Sequence, residues 1–191
     1  MSKLKTSLLT LVSAVAVFGA ASASAASYQI WNGSAWVNSG TTNFVGPTTA
    51  AYVGNQVPCT ANFTVTLTNG AAAVTAASFS GSSSCNGITT GGLPWALSAP
   101  TAYGGANPPF AGAPTLVGAL NSVTISGVRI FIPTPLNVYC PSSTGTGSVA
   151  GVLDANSYFV FKANLGPCAV QTRTNSAPNA LVASPAVRVV P

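Results

Sequence analysis

The residues of this 191-residue chain that could do chemistry are its four cysteines, Cys59, Cys85, Cys140 and Cys168. In an oxidising compartment four cysteines form two disulfides, and three connectivities can join them. The other use would be an all-cysteine zinc site, but the chain has no C-x₂-C pair of the kind that such sites use. We therefore predict two disulfides and no metal site.

Local strand patterns favour one connectivity. From Phe63 to Thr68 apolar residues alternate with threonines, and Asn69-Gly70 then supplies a two-residue hairpin turn. A second strand is predicted over 72–79. The pairs Cys59–Cys85 and Cys140–Cys168 would each bracket a hairpin, and each closes a loop of about 27 residues, which stabilises by roughly 3–4 kcal/mol.

Most catalytic groups are missing from the chain. It has no histidine, so neither a Ser-His nor a Cys-His nucleophile can be built. Its single acidic residue, Asp154, forms no carboxylate pair for glycoside hydrolysis and no calcium site, and Asp154-Ala-Asn156 is typical of a turn. We therefore predict that the protein is not an enzyme and carries no cofactor.

Charged residues are scarce, at 4% of the chain against about 25% in an ordinary domain. Beyond residue 25, the cations Arg129, Lys162, Arg173 and Arg188 oppose only Asp154, a net charge of +3. Without a basic patch we expect no nucleic-acid partner. Low charge repulsion permits self-association or adhesion to apolar material. The alternative is a neutral secreted domain with neither property.

The N-terminus has the pattern of a secretory signal. Two lysines precede an apolar run over 8–20 that is too short to cross a bilayer, and Ala21-Ser-Ala-Ser-Ala25 offers small residues for cleavage. We expect residues 1–25 to be removed and 26–191 to fold as one domain. That domain would be extracellular or periplasmic and have no transmembrane segment.

Short strand-like segments with turn signals every 8–12 residues indicate an all-β sandwich or barrel without a helix. Of the two we predict an antiparallel β-sandwich of about eight short strands with two disulfides. The segment 121–132 is the strongest strand pattern, and Gly127 within it predicts a bulge or a tight turn. Residues 40–58, rich in Thr, Gly and Pro, are predicted to hold only a short strand near 51–53.

Aromatic residues supply the candidate contacts for a ligand. The longest predicted loop, 99–114, is dense in Gly, Pro and Ala and contains Tyr103 and Phe110, which we predict to form an apolar ligand-binding patch. The alternative is a plain insertion at a hairpin tip. Tyr28, Trp31 and Trp36 in a predicted N-terminal hairpin fit either core packing or a sugar-stacking patch.

Several short stretches, together with the order of the cysteines, carry a family resemblance. They are Phe79-Ser-Gly81, Cys85, Gly92-Leu-Pro-Trp95, Val123-Thr-Ile-Ser-Gly-Val128, Cys140-Pro-Ser142, Cys168 and Ser184-Pro185. In these positions the chain resembles the alkane-oxidation activator proteins of Gram-negative bacteria. The resemblance runs from about Cys59 to the C-terminus. It implies a secreted accessory factor that promotes growth on, or oxidation of, hydrocarbons, and it implies no catalytic residues.

The hypothesis that follows is a secreted, non-enzymatic protein that aids hydrocarbon use at the cell surface or at an oil–water boundary. Its partner would be hydrocarbon or another apolar surface. The alternative is a structural subunit of a surface fibre or biofilm matrix, because neutral β domains can add strands edge to edge. An outer-membrane barrel is a third class, which sparse aromatics and two predicted disulfides disfavour.

Overall fold

The computed structural model of the protein describes residues 26–174 and 179–191, so the predicted signal peptide, 1–25, lies outside the described residues. The described chain is almost entirely β-structure. Its elements in order are β1 (Ser27–Trp31), β2 (Trp36–Val37), β3 (Gly40–Tyr52), β4 (Asn55–Thr68), β5 (Ala71–Ser80), α1 (Ser83–Asn86), β6 (Thr89–Gly91), β7 (Trp95–Leu97), β8 (Thr101–Ala102), β9 (Asn121–Ile132), β10 (Val138–Cys140), β11 (Gly147–Leu153), β12 (Tyr158–Leu165), β13 (Cys168–Thr172), β14 (Leu181–Ser184) and β15 (Val187–Val190).

Eight strands close into a barrel. Neighbours pair antiparallel in the order β9-β11-β12-β13-β3-β4-β5-β7, and β7 pairs with β9 to complete the circle. Closure depends on a strand of three residues, in which Trp95 pairs with Val74 of β5 and Leu97 pairs with Ile125 of β9. The all-β class is confirmed, but the predicted sandwich is wrong because one continuous sheet encloses the core.

The strand β3 replaces most of a predicted loop. Residues 40–58 form β3 and the start of β4, joined by a tight turn at Val53 and Gly54. The short strand predicted near 51–53 is therefore wrong in extent. Thr, Gly and Pro suggested turns, yet β-branched threonines also suit a strand. Gly46 serves close packing, since a Cβ there would overlap the Ala180 carbonyl oxygen where the strand changes partner from β14 to β13.

Two local predictions in the longest strands are confirmed. Asn69 and Gly70 form the turn between β4 and β5, with φ of 51° and 82°, a left-handed conformation that these two residue types tolerate best. Gly127, with φ of 84°, lies at a bulge where the pairing of β9 with β11 shifts register. Both features set the curvature of the strands that form the barrel wall.

Both predicted disulfides are confirmed. Cys59 and Cys85 have Cα atoms 5.6 Å apart, and Cys140 and Cys168 have Cα atoms 5.8 Å apart. The prediction of no helix is wrong by one turn, because α1 carries Cys85 toward its partner. The Ser82 hydroxyl begins this turn by accepting a hydrogen bond of 3.3 Å from the backbone N–H of Cys85.

The barrel interior is packed with apolar side chains from alternating positions of the strands. Two apolar voids of about 60 and 20 Å³ remain, and Phe63 and Ile125 line both. A dry cavity that admits benzene measures about 150 Å³. The interior is therefore a core that stabilises the fold rather than a ligand chamber.

A small three-stranded sheet in the order β15-β1-β2 packs against this core. Its residues Tyr28, Ile30 and Val187 are buried in the same apolar cluster as the barrel interior. The predicted N-terminal hairpin is confirmed, with Ile30 opposite Val37. The described ends of the chain therefore meet in one sheet, where β1 lies between β2 and the last strand.

Candidate functional site

The candidate site lies outside the barrel, beneath the loop that joins β8 to β9. This loop, residues 103–120, is called the β8–β9 loop below. Backbone and side-chain bonds fold it on itself: Tyr103 N–H donates to the Leu120 carbonyl at 2.9 Å, and the Asn107 amide exchanges two hydrogen bonds with the Leu116 backbone, at 2.8 and 2.9 Å. The loop therefore has a defined shape, but the predicted bounds 99–114 are wrong: residues 101–102 form β8, and the loop runs from 103 to 120.

Asp154 fastens the β8–β9 loop to the barrel. Its carboxylate is buried and accepts backbone N–H bonds from Asn156 and Tyr158, at 2.9 and 2.8 Å, which confirms the predicted turn. The other carboxylate oxygen accepts from Val117 N–H at 3.1 Å, and Ala155 N–H donates back to the Val117 carbonyl. The only acidic residue of the sequence is thus a structural anchor.

Two valines on the outer face of the barrel form the floor of the site. Val152 of β11 pairs with Val160 of β12, and both are buried although they point away from the interior. They form a second apolar cluster with Leu116 and Ala180, separate from the barrel core. The β8–β9 loop supplies the cover that outward residues of a barrel otherwise lack.

The cover is incomplete and leaves an open groove of about 220 Å³. Tyr103 and Phe110, the two predicted ligand-binding residues, line it together and pack against the second apolar cluster. The structure thus brings them into one site, while their role in binding stays a prediction. The remaining lining residues are Pro109, Ser122, Val123, Thr124, Ala150, Gly151, Val152, Val160, Phe161 and Lys162.

The groove floor follows the strand register. Ser122, Val152 and Val160 stand side by side across three strands, and the next outward row begins with Thr124 opposite Ala150. Because the alanine side chain is short, this second row leaves space above the strand. Sequence reasoning missed the floor, although an outward-facing valine at position 160, between Tyr158 and Lys162, was a signal that something covers that face.

Lys162 supplies the only charge in the groove. Its side chain is exposed, and its ammonium has no hydrogen-bond partner among residues 26–174 and 179–191. Arg129 donates to the carbonyls of Ser143 and Thr144, at 3.3 and 3.4 Å. The described cations therefore differ, because Arg129 is engaged by its own chain and Lys162 is directed at the groove and solvent.

The N-terminal aromatics do not form one patch. Tyr28 is buried, its hydroxyl donates to the Ser98 carbonyl at 2.9 Å, and burial raises the pKa of its phenol above the ordinary value. Trp31 and Trp36 lie nearer the surface with ring centroids 5.6 Å apart. Arg188 covers Trp36, with its guanidinium carbon 4.6 Å from the ring centroid. The three-residue sugar-stacking patch considered from the sequence is therefore not assembled.

Within the described part of the chain, no cluster of three or more His, Cys, Asp or Glu side chains could hold a metal ion. No helix in those residues is long and apolar enough to cross a membrane. The arrangement that remains is an apolar groove with hydroxyl groups and one cation at its border. It offers apolar surface to a ligand, and within the described residues no hydrogen bond joins Lys162 to a hydroxyl group of the groove.

Comparison with known proteins identifies the family. No protein of curated function and no solved structure matches the chain. A family model described as "Alkane oxidation protein activator PraA/PraB-like" matches residues 1–191, the whole sequence. The family is described as an activator and not as an enzyme, in keeping with the missing catalytic groups. The chain therefore belongs to the PraA/PraB-like family of alkane oxidation protein activators.

Proposed function

We propose that the protein is a secreted, non-enzymatic accessory factor that helps hydrocarbon reach the cell, acting at the cell surface or at an oil–water boundary. The observation that carries this proposal is the groove beneath the β8–β9 loop, where Tyr103 and Phe110 face two buried valines. Family membership supplies the link to alkane oxidation.

The energetics favour adhesion to apolar material. Apolar surface removed from water is worth about 25 cal/mol per Å², so burying an apolar molecule against the valines and aromatics of the groove is favourable. The scarcity of charge helps, because only four cations stand beyond residue 25 and few ionic groups need to keep their hydration near an oil surface. The disulfides maintain the fold at such a boundary by limiting the entropy of the unfolded chain.

The test compares growth on a long-chain alkane with growth on a water-soluble carbon source after deletion of the gene. We expect slower growth on the alkane alone, restored by purified wild-type protein. A Tyr103→Ser, Phe110→Ser double variant should fail to restore growth. Tyr139→Ser is the matched control, because Tyr139 is an exposed aromatic outside the groove. Unchanged alkane growth in the deletion strain would contradict the proposal.

The structural alternative, a fibre or biofilm-matrix subunit, depends on free strand edges. Barrel closure covers much of the main sheet, and within the described residues the outer edges of β2, β10 and β15 pair with no further strand. On β15 (Val187–Val190) the Ser157 hydroxyl already bonds both backbone groups of Val187, so the free part of that edge is at Val189. Size-exclusion chromatography of secreted material separates the two functions. A monomer supports the accessory factor, whereas polymers that dissociate when Val189 is changed to proline would favour the fibre subunit.

A further inference from the structure

Lys162 differs from Arg129 and Arg188 in its surroundings. The fourth described cation, Arg173, has a buried Nε without a hydrogen-bond partner in the described residues, but Arg173 does not line the groove. Arg129 is bound to two carbonyls, and Arg188 donates to the Gln29 side-chain oxygen, at 2.9 and 2.7 Å, while stacking on Trp36. Lys162 has no such partner in the described residues. The single carboxylate that could have neutralised it, Asp154, is buried and accepts three backbone N–H bonds.

The position of Lys162 relates its charge to the apolar floor. It follows Val160 by two residues on the outward face of β12, which places its Cα about 6–7 Å along the strand. Both residues line the same groove, together with Tyr103 and Phe110. The hydroxyls of Ser122 and Thr124 lie along its opposite side, on β9. One end of an apolar groove thus carries a single positive charge with hydroxyl donors near it.

We propose that this groove binds an alkyl carboxylate, a free fatty acid anion, with its chain against the valines and aromatics and its carboxylate on the Lys162 ammonium. The inference rests on the proposed function and specifies its ligand class. A carboxylic acid of this kind has an ordinary pKa near 4–5 and is ionised at neutral pH. The ligand's carboxylate would accept a charge-assisted hydrogen bond from the Lys162 ammonium and a second hydrogen bond from the Thr124 hydroxyl.

Other occupants fit the groove less well. A bare alkane would bury the valines equally but would make no hydrogen bond to the solvent-exposed ammonium of Lys162. A sugar would place hydroxyl groups against the apolar side chains of Val152 and Val160, where they find no hydrogen-bond partner. A ligand with one carboxylate has a single negative charge, which pairs with the single positive charge of Lys162. Terminal oxidation of an alkane ends in this class of molecule, so the product of the pathway that the family promotes has the required chemistry.

The test measures binding of dodecanoate and of dodecan-1-ol to the purified mature protein by calorimetry, with both probes below their aggregation concentrations at pH 8. We expect wild type to bind dodecanoate about tenfold more tightly than the alcohol. Lys162→Met should remove that tenfold preference, so that dodecanoate and the alcohol bind this variant about equally, while Lys162→Arg should keep the preference. Arg188→Met is the charge-matched control, because it removes a cation that does not line the groove.

Two results would overturn the fatty-acid proposal. One is equal affinity of wild type for dodecanoate and the alcohol. The other is an equal loss of dodecanoate binding in Lys162→Met and Arg188→Met, which indicates general charge attraction. Neither result affects the accessory role, whose own test is growth on alkane with the Tyr103 and Phe110 variant. Thermal unfolding of Lys162→Met verifies that this exposed substitution leaves the fold intact.

Discussion

Strands β11 and β12 bury side chains on both faces, but by different means. On the inner face, Leu153 and Phe159 are enclosed by a barrel whose strands bond to one another all round. On the outer face, Val152 and Val160 are covered by one loop held by a few hydrogen bonds. The inner arrangement leaves voids of about 60 and 20 Å³, and the outer one leaves a groove of about 220 Å³.

The difference separates stability from binding. A core closed by backbone pairing can be filled almost completely, because each strand fixes the positions of its side chains. A loop cover needs only a few anchors, so it leaves space that another molecule can fill. Substitutions on the inner face should therefore change the free energy of unfolding, and substitutions at the rim of the outer face should change the affinity for a ligand.

The largest effect is expected where the barrel closes. Trp95 is buried, and its indole N–H donates to the Gly91 carbonyl at 2.9 Å. Trp95→Ala should lower the free energy of unfolding by about 3–5 kcal/mol, measured by denaturant titration. Trp36→Ala, on the small sheet, is the control and should cost about 1 kcal/mol. A loss below 1 kcal/mol for Trp95→Ala would show that closure does not depend on this side chain.

The second-largest effect is expected at Asp154, which holds the β8–β9 loop to the barrel. Asp154→Ala removes three hydrogen bonds to a buried carboxylate and leaves the N–H groups of Val117 and Tyr158 without that acceptor, so we expect a loss of about 2–4 kcal/mol. Hydrogen exchange should accelerate most at Val117. Asn121→Ala at the start of β9 is the control. Unchanged exchange at Val117 would contradict the anchoring role.

A matched pair of valine truncations compares the two faces directly. Val149→Ala on the inner face should cost about 2 kcal/mol, because the strands around it cannot collapse into the space. Val160→Ala on the outer face should cost about 1 kcal/mol, since the β8–β9 loop can settle inward. Urea unfolding of both variants gives the comparison. Equal losses would mean that the groove floor is held as firmly as the core.

The smallest effect concerns the buried phenol of Tyr28. Because burial raises its pKa in the folded state, the folded protein resists forming the phenolate. The neutral phenol's stabilisation is complete below the unfolded pKa of about 10 and is lost as pH rises above it. Tyr28→Phe should cost about 1 kcal/mol at pH 7, from the lost bond to Ser98, and should flatten the alkaline decline. Parallel declines in both proteins between pH 9 and 11 would contradict this.

The parts of the fold that sequence predicted are those set by near neighbours. Asn69-Gly70 specifies its own turn, and each cysteine pair brackets a local hairpin, so the disulfides followed from strand patterns. Barrel closure was not predictable in this way. It depends on Trp95–Leu97 pairing on both sides, and a three-residue strand after a proline has no pattern that distinguishes a closed sheet from two open ones.

The candidate site was predictable only in part, for the same reason. Tyr103 and Phe110 stood out as aromatics in a Gly- and Pro-rich loop. Val160 and Lys162 belong to a strand about fifty residues further along, and nothing local indicates that the loop folds over them. Their contribution depends on the Asp154 anchor, a contact between distant segments.

The partners of β3 have a consequence for the order in which the chain can fold during synthesis. Residues Asn43–Val45 pair with β14, and Thr48–Ala51 pair with β13, more than a hundred residues later. A chain that emerges N-terminus first can complete its first cysteine-bracketed hairpin early, but one edge of β3 has no partner until residues 169–184 have emerged. Until then the longest exposed strand edge is open to other chains. The step most prone to aggregation is therefore late in the synthesis of the chain, when most strands have formed and this edge of β3 is still open.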